Sequence, residues 1–129
     1  MAAELQALAW AGLLAAVQFV LMAVPANMQL GPAWTTGPRD EPRTLHGVAG
    51  RLNRAFLNHM EGLILFAAGV VVVVLGEATS GFTAACAWIY LAARVLYIPA
   101  YASGVRYLRS VIWSIGFLAT VALFLAAIL

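Results

Sequence analysis

Two series of polar residues and one dipeptide carry the chemistry available to this sequence. The first series is Arg51, Arg54, Asn58 and Glu61, spaced three, four and three apart. At about 100° per residue, a helix gathers them within roughly 80°, on one stripe. The second is Tyr90, Arg94, Tyr97 and Tyr101, spaced four, three and four, which a helix gathers within roughly 60°. The dipeptide is Arg109–Ser110. Arg51, Arg54, Arg94 and Arg109 then stand against one carboxylate, Glu61. Such a surplus of guanidinium groups suits an anionic ligand. The tyrosines add hydrogen-bond donors, or faces to pack a ligand's apolar part. At the start of a helix, Arg109 and Ser110 join free backbone N–H groups and the positive end of the helix dipole, a setting that favours a thiolate or an alkoxide.

Other chemistries lack their residues. Cys86 is the single cysteine and lies in an apolar run, so packing is its expected role. His46 and His59 have no further His or Cys at ligand spacing, so no metal site is expected. There is no glycine-rich phosphate loop and no Ser/His/Asp order.

The elements that must position these residues are membrane spans. The 129 residues are 64% hydrophobic and 9% charged, against about 25% charged in a soluble domain, so the solvent must be largely lipid. A span needs about 20 mostly apolar residues. Four helices qualify, at about 5–24, 52–75, 82–101 and 110–129, in one domain covering 1–129. The expected class is therefore all-α, an integral membrane four-helix bundle. Met1 to Val24 has no basic leader and reads as a retained first helix, ended near Pro25. Asn27 to Asn53, with Pro32, Pro38 and Pro42, reads as the one long loop. Pro99 is expected to kink the third span and open a cleft.

All seven basic residues are arginines, and six lie in or beside the first and third connections, whereas the second carries only Glu77. The positive-inside rule places both basic connections in the cytoplasm and both termini on the other side. That rule alone explains Arg39, Arg43 and Arg106. A charge at mid-membrane costs about 3 kcal/mol on insertion scales, so Glu61 and Arg94 require pairing or function. Each lies about ten residues above the inner end of its span, and the matched depths predict that they interact directly or share one polar network. Two structural alternatives stand beside the ligand reading. The intramembrane groups would then only fix helix register, and Arg109–Ser110 would be a topology signal followed by a helix N-cap.

The run Arg54, Ala55, Asn58, Glu61 resembles the signature of the MAPEG family, membrane-associated proteins in eicosanoid and glutathione metabolism. Ala93-Arg94-Val95-Leu96-Tyr97, Tyr101 and Arg109–Ser110 extend the resemblance, and the helix count and short third connection agree. The chain resembles the short bacterial branch more than the animal synthases, which implies the bacterial inner membrane and does not imply eicosanoid chemistry. The resemblance implies a homotrimer with glutathione as co-substrate, bound between subunits on the cytoplasmic side. By motif, Asn58, Glu61, Tyr97 and Tyr101 would contact the tripeptide, joined by Arg51 and Arg54. Arg94 would support Glu61 or the ligand, and Arg109 and Ser110 would stabilise the thiolate. The implied activity is that of a transferase or peroxidase acting on a lipophilic electrophile from the membrane. Animal members carry a basic residue on the first span where this chain has only Gln18. Leu57 and Tyr97 stand where other members have arginine and histidine. The missing cation on the first span and Leu57 favour a second reading, a non-catalytic membrane protein or accessory subunit that uses the same network for trimer assembly. A carrier or channel is disfavoured, because the chain lacks repeated halves and broken helices.

Overall fold

The computed structural model describes residues 1–39 and 43–129; Pro42, assigned above to the long loop, lies outside them with Asp40 and Glu41. Five helices are described: α1 (Ala3–Leu30), α2 (Pro32–Thr36), α3 (Gly47–Leu75), α4 (Gly81–Ser103) and α5 (Leu108–Ile128). All but α2 are long and apolar enough to cross a membrane, and these four pack as a bundle.

The first connection differs from the expected loop. Helix α1 continues through Pro25 to Leu30. A proline removes one backbone donor, and lipid-facing backbone satisfies itself best by staying helical. The stop comes at Gly31, whose φ of 89° suits glycine, followed by Pro32 at the first position of α2. The Thr35 hydroxyl donates to Asn27 Oδ1 and ties α2 back onto α1. Helix α3 also begins early, at Gly47. Pro99 lies inside α4, which runs on to Ser103. Gly104 then ends it in the left-handed region at φ 71°.

Small residues let the helices approach, as lipid-embedded packing requires. The buried face of α1 reads Glu4, Ala7, Ala11, Ala15, Gln18. On α3, a Cβ at Gly69 would lie 3.4 Å from Phe124 and 3.5 Å from Leu123 of α5. On α5, one at Gly116 would lie 3.6 Å from Ala93 and 3.7 Å from Tyr90 of α4. Between them Phe66 and Tyr90 stack at 3.9 Å in the core. At the end away from the arginine-rich connections, Ser80 and Thr83 form a reciprocal cap on α4, and the Thr83 hydroxyl donates to the buried Glu4 carboxylate at 2.7 Å. Glu4 thus sits at the positive end of α4's dipole, which accounts for a carboxylate being buried there.

Candidate functional site

Arg94 is the centre of the polar interior. It is 3% exposed. Its Nη1 donates to Asn58 Oδ1 at 3.0 Å and its Nε to His59 Nδ1 at 3.3 Å. His59 is fully buried, and its Nε2 lies 3.0 Å from the carbonyl oxygen of Ala11. Since Nδ1 accepts from Arg94, the proton belongs on Nε2, which donates to Ala11. One chain of hydrogen bonds therefore joins α4, α3 and α1, and Ala11 is small enough to let the imidazole reach backbone.

Of the two arrangements expected for Glu61 and Arg94, direct contact or one shared polar network, the direct contact is replaced by this chain. Among the described residues no hydrogen bond or ion pair joins the two, although both line one cavity. The register of the two helices is the reason. Arg51 of α3 reaches the Ala102 carbonyl of α4, and Asn58 lies seven residues above Arg51 while Arg94 lies eight above Ala102, which puts Asn58, and not Glu61, level with Arg94. Asn58 and His59, about a turn lower, meet the guanidinium instead.

Further toward the basic end, arginines and tyrosines alternate. The Arg94 guanidinium lies 4.3 Å from the centroid of Tyr97, and the Tyr97 and Tyr101 rings meet edge-on at 5.6 Å. Tyr101 lies under two cations, with Arg109 at 4.7 Å and Arg54 at 5.9 Å from its centroid, and its hydroxyl accepts from Arg54 Nε at 3.2 Å. Cation–π contacts and ring faces orient the guanidinium groups without neutralising them. Asn58, Tyr97, Arg109, Ser110, Trp113 and Ser114 line a cavity of about 330 Å³ between α3, α4 and α5. Asn58 and Trp113 also border the cavity of about 170 Å³ that holds Glu61 and Arg94.

Arg51 stands apart from this group. It donates through Nη1 to the Ala102 carbonyl at 3.0 Å, beside Gly104. A cation there complements the C-terminal end of α4. Arg54 is shared between Tyr101 and a cavity of about 590 Å³ bounded by α1, α2 and the start of α3. The N-cap alternative for Ser110 gives way to Tyr107, at φ 72°, which caps α5 without a side-chain bond. Arg109 and Ser110 are the second and third residues of α5, both exposed on the surface of the single chain.

His59 and Glu4 are the polar residues whose roles the spacing did not disclose. Their signal was ionisability within an apolar span for His59 and at the edge of one for Glu4, and both prove to be hydrogen-bonded. Among the described residues, no three His, Cys, Asp or Glu gather as a metal site.

Comparison with known proteins gives one finding. The family profile described as "MAPEG family" matches residues 7–129. No curated protein and no solved structure matches the chain.

Proposed function

The chain belongs to the MAPEG family, and from that premise we propose that it is a glutathione-dependent transferase or peroxidase of lipophilic electrophiles. The family includes glutathione-dependent transferases and peroxidases. The observation that carries the reading is the 330 Å³ cavity, which brings Asn58 and Tyr97 from two helices against Arg109 and Ser110 at the start of a third. Its size falls within the range of small-ligand sites.

In this reading glutathione lies across the cavity, in the cytoplasmic half of the membrane. One of its carboxylates pairs with Arg54, which Tyr101 holds in place. Glu61 takes its ammonium group, and Asn58, fixed by Arg94, and Tyr97 supply neutral hydrogen bonds. The sulfur sits by Arg109 and Ser110, where a cation, a hydroxyl and the first turn of α5 favour the thiolate over the thiol. Arg51, spent on the end of α4, is left out. Arg54, Glu61, Arg109 and Ser110 are exposed in one chain, which supports a site completed by a neighbouring copy, in the homotrimer typical of the family.

Titration of the detergent-purified protein with glutathione, read by thiolate absorbance near the ultraviolet edge, tests this. Saturable thiolate formation is expected, lost in Arg109→Ala, with conjugation falling about 10²-fold or more for an electrostatic contact of this kind. No thiolate at millimolar glutathione in the intact assembly would refute it. That result would favour the assembly-only reading, to which the self-contained Arg94–His59–Ala11 chain already lends some support.

A further inference from the structure

Two buried polar atoms that line one cavity have no hydrogen-bond partner: the hydroxyl of Tyr90 and Nη2 of Arg94. Both residues are at least nine-tenths buried, at 2% and 3% exposed. Every other nitrogen of the Arg94 guanidinium is occupied, by Asn58 and His59, so the group is held rigidly with one nitrogen left over. The Tyr90 ring is fixed by stacking on Phe66. Its hydroxyl lies over Gly62, where a Cβ would come within 3.3 Å. Thr120, also in the wall, donates to its own helix at Gly116 and offers no competing donor. An unpartnered buried donor is expensive, and more so beside a charge. Two donors in one cavity mark a place for an acceptor.

The rest of the wall describes what carries that acceptor. The cavity holds about 170 Å³. A dry cavity of about 150 Å³ accommodates a benzene ring, so this one takes a single ring with a small substituent. Trp113 and Phe117, stacked at 5.1 Å, form its α5 side, and Leu65 its α3 side. Apart from Asn58, Thr120 and the exposed Glu61, the rest of the wall is apolar, and the cavity lies among the membrane-spanning stretches of α3, α4 and α5.

We propose that this cavity binds a six-membered ring bearing a carbonyl, with the oxygen accepting from Tyr90 and Arg94, and that such rings are the electrophile class of the enzyme. The second clause rests on the proposed glutathione site, which adjoins this cavity across Asn58 and Trp113. A conjugated ring ketone or quinone then stands ready for addition. The thiolate attacks the ring carbon β to the carbonyl, and a C–S bond forms. The C=C pair shifts to the bond between the α carbon and the carbonyl carbon, the C=O pair moves onto oxygen, and Tyr90 and Arg94 stabilise the resulting enolate. The proton lost by the thiol is returned to the product, and no oxidant or reductant is needed.

Acetophenone and α-methylstyrene differ only in C=O against C=CH2, and neither reacts with thiols under mild conditions. Their binding to the full-length protein in detergent micelles is measured by saturation-transfer NMR, for wild type and for Tyr90→Phe and Gly62→Val. Wild type should prefer acetophenone about tenfold, the value of roughly one good hydrogen bond to a buried donor. Tyr90→Phe, which keeps the stacked ring, should remove most of that preference. Gly62→Val should weaken both probes by crowding the hydroxyl. Equal binding of the two probes to wild type, or an unchanged preference in Tyr90→Phe, overturns the proposal and leaves the two atoms to a buried water. Glutathione titration of the same samples reads the neighbouring cavity separately. Carbonyl preference without glutathione binding removes the transferase reading and keeps this ligand site, and the converse removes this site alone.

Discussion

The polar residues inside the spans divide by what their partners leave unspent. Arg94 spends Nε on His59 and Nη1 on Asn58, and its charge meets no carboxylate among the described residues. A double-mutant cycle should therefore give a coupling of about 1 kcal/mol for Asn58→Leu with Arg94→Leu, and near zero for Glu61→Gln with Arg94→Leu. Unfolding in mixed micelles would measure both, and a larger coupling for the Glu61 pair would restore the ion pair that the register of α3 against α4 argues against. His59 is structural by the same accounting. Both ring nitrogens are used, and His59→Ala would strand Nε of a buried cation as well as open a cavity. A loss of about 2–4 kcal/mol is expected by those two mechanisms, seen as a lowered unfolding midpoint. The stripe residues Asn58, Glu61, Arg94, Tyr97 and Tyr101 were legible because helical spacing places them on shared faces. Which of them touch was not legible. That depended on the register of α3 against α4, which contacts between distant residues fix, such as that of Arg51 with the Ala102 carbonyl.

Helix ends show the same division between pattern and context. The apolar cores of all four spans were evident from composition alone, because no soluble arrangement could cover them. Their ends were set by single residues that act only in three dimensions: Gly31 and Gly104 in left-handed conformations, Tyr107 at the head of α5, and Ser80 with Thr83 at the head of α4. The Ser80–Thr83 cap is strengthened by Glu4 from another helix. Thr83→Val removes one capping bond and, with it, the hydroxyl that donates to the buried Glu4 carboxylate, so it should destabilise by about 1–3 kcal/mol. Thr83→Ser should restore most of that, and failure of this rescue in thermal unfolding would show that packing of the methyl group, rather than the hydroxyl, dominates. The α1 face makes a second demand. Ala7, Ala11 and Ala15 are buried against α3 and α4 at one-turn intervals. Ala11→Leu should separate α1 from α3 and break the His59 bond to the Ala11 carbonyl together, and the fall in stability should exceed that of His59→Ala.

At the scale of the molecule the open question is what covers the polar side of the bundle. Glu61 lies at the midpoint of α3, 14 residues from either end, and is exposed. About 1.5 Å per residue puts it roughly 21 Å from each end of its helix, near the bilayer centre. A lone charge there costs about 3 kcal/mol on insertion scales and more on an isolated helix. Arg109 and Ser110, exposed on the neighbouring helix, add to the polar surface of the same side. Four helices of one chain cannot fold over this face, since α1 is already committed to the far side of α3 and α4 through its alanines and His59. The cover must come from outside the chain, and the proposed trimer supplies it by seating each polar face against the next copy around a closed ring. In mild detergent the protein should therefore have the protein mass of three chains, and paired cysteines introduced at Glu61 and at α1 positions that face away from the bundle, such as Val17 or Val20, should cross-link between chains. A monodisperse monomer that still binds glutathione would show that lipid and ligand alone satisfy the face. Glu61→Leu separates assembly from binding. Loss of an uncompensated charge should leave the trimer intact or more stable, while glutathione affinity falls about tenfold or more for want of a partner to its ammonium group. A variant that dissociated without losing affinity in its monomers would place Glu61 in assembly and return the polar stripe to a purely structural role.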